Sequence, residues 1–249
     1  MNHDKRVGNA LLNALTLSVI IPAFNEEKNI EGVLFRTEKV LEDLSFPYEV
    51  IVVDDGSTDK TRFLAERHKV TVISNRRNRG KAYALRKGLK EVHGELVITM
   101  DADGSHRPED IKCLITPLLN GADAVIGSRF KGEQEKDSTN KLHIFGNTLF
   151  NLLIKILTKK SVTDSQTGFR AFKRRVVEEM EITSEGYAVE TELTVKTLKN
   201  GFVVREEPIF FDRRKNGSSH VKPIRDGLRI VKTIIRANFT GKHENRNHD

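Results

Sequence analysis

The chain has no tryptophan, three tyrosines and a single cysteine among its 249 residues. One cysteine excludes a disulfide framework and a cysteine-based metal site, and places Cys113 as a small helix residue facing the core. The shortage of Trp and Tyr argues against a nucleic-acid module, which interleaves basic residues with stacking rings. No apolar run reaches the roughly 18 to 20 residues that cross a bilayer. Residues 1–15 carry charge where a secretion signal requires an apolar centre. These absences predict a soluble or peripheral, intracellular protein. What the chain does have is 42 Lys and Arg against 35 Asp and Glu, a net charge of +7, with a hydrophobic content of 37%. The charge favours anionic partners such as phosphates or an acidic membrane surface. The apolar content, set in short regular runs, supports a real core. The length allows one large α/β domain or two small ones.

Short buried strands are predicted at residues 17–21, 49–53, 70–74, 96–100 and 122–126, separated by helical stretches of the length that makes βαβ units and a parallel sheet. Asn25 reads as a helix N-cap. Residues 75–80 form a basic, glycine-ended loop that opens a helix through residue 93; its Arg76, Arg77, Arg79 and Lys81 read equally as a phosphate-binding cluster or a solvated loop. Residues 131–139 contain no apolar side chain and read as a mobile loop. An apolar helix is expected over 140–157, polar turn chemistry around Gly168 over 161–172, an extended segment over 203–211, and a basic turn over 213–219. The final helix, 224–239, carries Ile224, Leu228, Val231 and Ile235 on one face, and Arg225, Arg229, Lys232 and Arg236 one residue later. That pairing of stripes suits either a core-packed helix with a charged outer face or an interfacial helix on anionic lipid. The expected division is an extension at 1–16, a main domain at 17–223 with halves near 17–130 and 131–223, and a basic helix and tail at 224–249.

The chemistry concentrates in one stretch. Leu96-Val97-Ile98-Thr99-Met100 reads as a buried strand, and Asp101 and Asp103 stand where it ends. Open α/β sheets bind ligands outside the carboxyl ends of their strands. Two carboxylates in such a loop suit a hard divalent cation, Mg²⁺ or Mn²⁺, whose remaining ligands are phosphate oxygens. The turns after the first and second strands also carry carboxylates, so three acidic turns converge on one sheet edge.

Pro22-Ala23-Phe24-Asn25-Glu26, Val53-Asp54-Asp55-Gly56-Ser57, Asn78-Arg79-Gly80-Lys81 and Asp101-Ala102-Asp103 resemble, in their order, the family 2 glycosyltransferases of GT-A fold. With Gly127-Ser128-Arg129, Asp164-Ser165-Gln166-Thr167-Gly168-Phe169-Arg170 and the turn around Arg214, the likeness narrows to the dolichyl-phosphate (polyprenyl-phosphate) mannose and glucose synthases. The resemblance implies a Rossmann-like three-layer α/β/α fold with a mostly parallel central sheet and C-terminal amphipathic helices. It implies that Pro22, Phe24, Glu26, Val53, Asp55, Lys81 and Ala102 line the nucleotide-sugar pocket. Asp101 and Asp103 would hold the metal, Ser105 standing where some relatives place a glutamine ligand. Arg129, Arg214 and His220 would bind the acceptor phosphate.

The expected activity is metal-dependent, inverting transfer of a hexose from a nucleotide sugar, GDP-mannose ahead of UDP-glucose, to dolichyl or polyprenyl phosphate. It would occur peripherally on the cytoplasmic face of a membrane, either transiently or with a small membrane-anchoring subunit. Transfer to a glycan hydroxyl is the competing reading. It would need a carboxylate base, for which Asp164, with Gln166 nearby, is the candidate. A non-catalytic nucleotide-binding module is the remote alternative.

Overall fold

The computed structural model describes residues 15–44, 46–133, 135, 141–214, 216 and 223–240. Among the described residues seven strands build one sheet: β1 (Leu17–Ala23), β2 (Tyr48–Asp54), β3 (Thr71–Ser74), β4 (Leu96–Thr99), β5 (Ala124–Ser128), β6 (Arg170–Lys173) and β7 (Val204–Pro208). Their order across the sheet is β3-β2-β1-β4-β6-β5-β7. All run parallel except β6, which pairs antiparallel with both β4 and β5. The first five strands sit where the apolar runs predict them, within one or two residues. β6 begins within the 161–172 segment expected to be only polar turn and ends one residue past it. Four residues with Arg170 and Lys173 at their ends carry no apolar run to betray a strand.

Alternation along the strands sends side chains to two cores. Val19, Ile21, Val50, Val52 and Ile98 pack under α1 (Ile30–Leu44), α2 (Thr61–Ala65) and α4 (Ile111–Leu119). Ile20, Ile51, Val53 and Val97 pack under α3 (Lys81–Leu89), α6 (Arg174–Glu178) and α7 (Val189–Lys199). Helices on both faces follow from parallel strands that are apolar on both sides. The result is the three-layer α/β/α arrangement expected from the sequence.

Two further helices, α5 (Lys141–Thr158) and α8 (Pro223–Thr240), pack on each other and on α7 outside those layers. Ile154, Ile230, Ile234 and Ala237 form their buried contact with Val195 and Leu198. Of the two sequence readings of the last helix, the one that puts its apolar stripe against the core does not hold. The stripe of Leu228, Val231 and Ile235 does not face the core: Leu228 is 69% and Ile235 45% exposed. The buried face is the one carrying Asp226, Ile230 and Ile234. Helix α5 is similarly two-sided, with Phe145, Leu149, Leu152 and Ile156 exposed at i, i+4, i+7 and i+11. No helix among the described residues is long and apolar enough to cross a membrane.

Candidate active site

Parallel strands deliver their carboxyl ends to one edge, and a cleft of about 700 Å³ opens there. Pro22, Ala23, Phe24 and Glu26 reach it from the end of β1, Asp55 from β2, and Asp101, Ala102 and Asp103 from β4. Asn78, Arg79, Gly80, Lys81, Tyr83 and Arg86 form another wall, on and before α3. Glu185, Gly186 and Tyr187 at the start of a 3₁₀ turn (Gly186–Ala188) and Arg214, Arg225, Asp226 and Arg229 complete the rim.

Asp101 is the electrostatic centre. The Lys81 ammonium lies 2.5 Å from its Oδ1 and 2.7 Å from Oε1 of Glu190, a buried residue in the first turn of α7. Burial pushes the Asp101 carboxyl pKa up, but Lys81, His106 and Arg129 outweigh it and hold the group below the usual carboxylate range. For Lys81, burial pulls downward while Asp101 and Glu190 together raise it, so the ammonium stays charged. Glu190 is pushed up by burial, only partly offset by Lys81. Thus Asp101 is poised as an anion in a setting that would otherwise neutralise it.

The backbone next to Asp101 is shaped for it. A Cβ on Gly168 would stand 2.7 Å from both Asp101 carboxylate oxygens, so only glycine allows this approach. Thr99 Oγ1 donates to the Gly168 carbonyl at 2.8 Å and ties that loop to β4. Asp103 accepts the Ser105 backbone N–H at 3.0 Å and the Ser105 hydroxyl at 2.6 Å, both on Oδ1. Its Oδ2 faces the Arg214 guanidinium at 3.8 Å. Arg214 also crosses to Glu26, whose pKa burial raises against the pull of Asn29 and Arg214.

Among the described residues no group of three His, Cys, Asp or Glu side chains is arranged to hold a metal by itself. Asp101 and Asp103 nonetheless fit a hard cation whose shell is completed by ligand phosphates, and their oxygen chemistry matches Mg²⁺ or Mn²⁺. The described residues of the lining supply six cationic side chains and six carboxylates. A divalent cation would add positive charge to that balance, as a diphosphate requires.

Residues 18–181 match glycosyl transferase family 2. The chain belongs to that family. A dolichol-phosphate mannosyltransferase of Pyrococcus furiosus is 33% identical over 214 residues, 84% of this chain; the alignment spans 60% of that longer protein. A polyprenol monophosphomannose synthase of Mycolicibacterium smegmatis is 32% identical, over 81% of this chain and 79% of its own length. Among solved structures, glucosyl-3-phosphoglycerate synthase of Mycobacterium tuberculosis, in complex with Mn²⁺, UDP and phosphoglyceric acid, superposes with a TM-score of 0.73. It is 22% identical and covers 94% of this chain and 82% of that one. The three-layer sheet is accordingly the GT-A fold, and the chain is a glycosyltransferase.

In this glycosyltransferase the expected pocket residues Pro22, Phe24, Glu26, Asp55, Lys81, Asp101, Ala102, Asp103 and Arg214 do meet around one cleft. Val53 does not line it. Its side chain is buried in the core beneath α3, because Val53 still lies within β2, short of the strand's carboxyl end. Asp55 turns inward: it accepts Asn75 Nδ2 at 2.7 Å and the Gly80 N–H at 2.7 Å, bracing the loop before α3. Asn25 is no N-cap. It takes φ 54°, and its side chain accepts the Thr58 N–H at 2.9 Å, pinning the turn after β2.

Arg129 also stands apart from the cleft lining. Its Nε and a terminal nitrogen donate to the two oxygens of the fully buried Asp164 at 2.7 and 2.8 Å. A side chain so engaged and enclosed is poorly placed as a general base, which must reach the acceptor proton. Gln166 donates to Thr191 Oγ1 at 2.5 Å, fastening the loop to α7. Ser105 is buried and serves Asp103. His220, Lys215 and most of the 131–139 loop lie outside the described residues.

Sequence reasoning passed over Glu190, Tyr187 and the inward use of Arg225 and Arg229. An acid in the first turn of a helix, such as Glu190, reads as ordinary dipole compensation. Only the fold brings it beside Lys81.

Proposed function

We propose that this glycosyltransferase moves a hexose from a nucleotide sugar to dolichyl or polyprenyl phosphate at the cytoplasmic face of a membrane. Mannose from GDP-mannose is the favoured donor, with UDP-glucose the alternative. The observation that carries the reading is the carboxylate pair Asp101 and Asp103 on a cleft whose rim includes a helix with outward-facing apolar side chains. Relatives named for dolichol-phosphate and polyprenol acceptors support it.

Glu26 and the Asp55-braced loop frame the nucleoside end of the cleft. Asp101 and Asp103 would hold Mg²⁺ or Mn²⁺, and the cation would supply Lewis-acid neutralisation of the leaving diphosphate. Lys81 keeps Asp101 ionised, and Arg214 lends positive charge beside Asp103. The acceptor phosphate oxygen attacks the anomeric carbon as the bond from that carbon to the diphosphate breaks. The electron pair leaves with the nucleoside diphosphate, and configuration inverts. The attacking oxygen is already anionic, so no base is needed, and positioning with preorganised charge supplies the catalysis. Arg129 contributes by holding the 164–168 loop, and His220 is kept as a further phosphate contact.

The acceptor's chain remains in lipid, so the enzyme must sit at the surface. Phe145, Leu149, Leu152 and Ile156 of α5, with Leu228, Ile235 and Phe239 of α8, provide apolar side chains for that contact. Lys232 and Arg236 provide charge toward anionic headgroups. The deciding experiment is transfer of radiolabelled sugar from a panel of nucleotide sugars, with extracted polyprenyl phosphate against oligosaccharide acceptors, with and without divalent cation. Label entering only the oligosaccharide would overturn the reading.

A further inference from the structure

Acceptor phosphate needs cationic side chains, and Arg129 is committed inside the fold to Asp164. The cleft rim offers others. Arg225 and Arg229 occupy the first two turns of α8, one turn apart on the helix, and both line the cleft. They flank Leu228, an exposed apolar side chain of the outward stripe. A single stretch of helix thus presents cations to the cleft and an apolar group to the outside. We propose that Arg225 and Arg229 form the receiving site for the lipid-linked phosphate, gripping it as it leaves the headgroup layer and before it reaches the donor sugar. This rests on the acceptor class proposed above.

The surroundings fit a phosphate monoester. Among the described residues both arginines are held by ion pairs alone: Asp226 Oδ1 is 3.6 Å from Arg225 and 3.8 Å from Arg229, and Glu185 Oε2 is 3.8 Å from Arg229. Those distances lie in ion-pair range but beyond a hydrogen bond. Both guanidiniums are about half exposed, with side-chain exposures of 57% and 43%, so turning toward a ligand costs little packing. Helix α8 itself is anchored by buried Asp226, Ile230 and Ile234, which fixes where the pair points. Across the rim, Gly186 at φ 59° brings its turn against Arg229: a Cβ there would be 3.9 Å from the Arg229 guanidinium. Two planar forks one helical turn apart can share the oxygens of one phosphate.

The test is steady-state transfer to polyprenyl phosphate in neutral detergent micelles, together with direct binding of the same micelles in the absence of donor. Arg225→Gln/Arg229→Gln is expected to raise acceptor KM at least tenfold, leave donor KM within twofold, and weaken micelle binding to the level of micelles lacking polyprenyl phosphate. Lysine at both positions should restore part of the loss. An unchanged acceptor KM and unchanged binding would overturn the site. So would a rise in donor KM alone, which would assign the pair to the diphosphate. A wild-type chain that binds polyprenyl phosphate through these arginines but transfers nothing to it would sink the proposed reaction and leave the site standing.

Discussion

At the scale of single residues, the site depends on how closely the backbone approaches Asp101. Gly168→Ala would drive a methyl group into the Asp101 carboxylate, 2.7 Å from either oxygen. The expected result is at least a tenfold loss in apparent affinity for Mn²⁺ with nucleotide, measured by titration calorimetry, with unchanged far-ultraviolet circular dichroism. Arg129 and Asp164 call for a double-mutant cycle. Each single replacement strands a buried charge and should cost about 3 kcal/mol in denaturant unfolding. The double replacement by apolar residues should cost clearly less than the sum. Additive losses would show that the pair is not coupled. The motif containing Asp164 and Gly168 could be picked out in the sequence, but its work could not. Its glycine is needed because of a carboxylate more than sixty residues earlier, and no local pattern encodes that proximity.

At the scale of elements, strands β1 to β5 were legible because runs such as Val50-Ile51-Val52-Val53 are apolar on both faces, the mark of buried parallel strands. Strand β6 and helix α7 were not. In α7 every residue from Val189 to Leu198 is buried, polar side chains included, so it lacks the amphipathic period that announces a helix. Those polar residues are satisfied by neighbours. Glu192 accepts the Thr183 and Ser184 backbone N–H groups at 3.0 and 2.7 Å and pairs with Lys196 at 2.8 Å, which fixes the turn leading to Gly186. Burial pushes its pKa up, but these partners win and hold it below the usual range. A depressed carboxylate stabilises the fold above its unfolded pKa and loses that contribution as pH falls through its folded value. Glu192→Gln should therefore cost about 2 kcal/mol at pH 7, with the deficit shrinking below about pH 4 in pH-dependent unfolding. A deficit that persists in acid would contradict this. For α5, Phe145→Ser/Leu149→Ser removes two exposed apolar side chains worth about 1 kcal/mol each at an interface. Co-sedimentation with anionic vesicles should fall roughly thirtyfold, while turnover of micellar acceptor changes little.

At the scale of the whole molecule, a net charge of +7 and two outward apolar stripes predict vesicle binding that weakens steadily as salt rises, without vanishing. The fold class and the converging acidic turns could be read from the chain, because period and turn chemistry are local. The cleft's opposite rim could not, because it is assembled from α8 and the Gly186 turn, distant in sequence. The central claim is that Asp101 and Asp103 bind nucleotide sugar through a divalent cation, and thermal unfolding tests it most directly. With Mn²⁺ and the matching nucleotide sugar at about a hundred times the dissociation constant, stabilisation should reach roughly 2.7 kcal/mol, a rise in Tm of about 5 to 10 °C. That shift should disappear on chelation and in Asp101→Asn/Asp103→Asn. An equal shift without metal, or one retained in the double variant, would contradict the account.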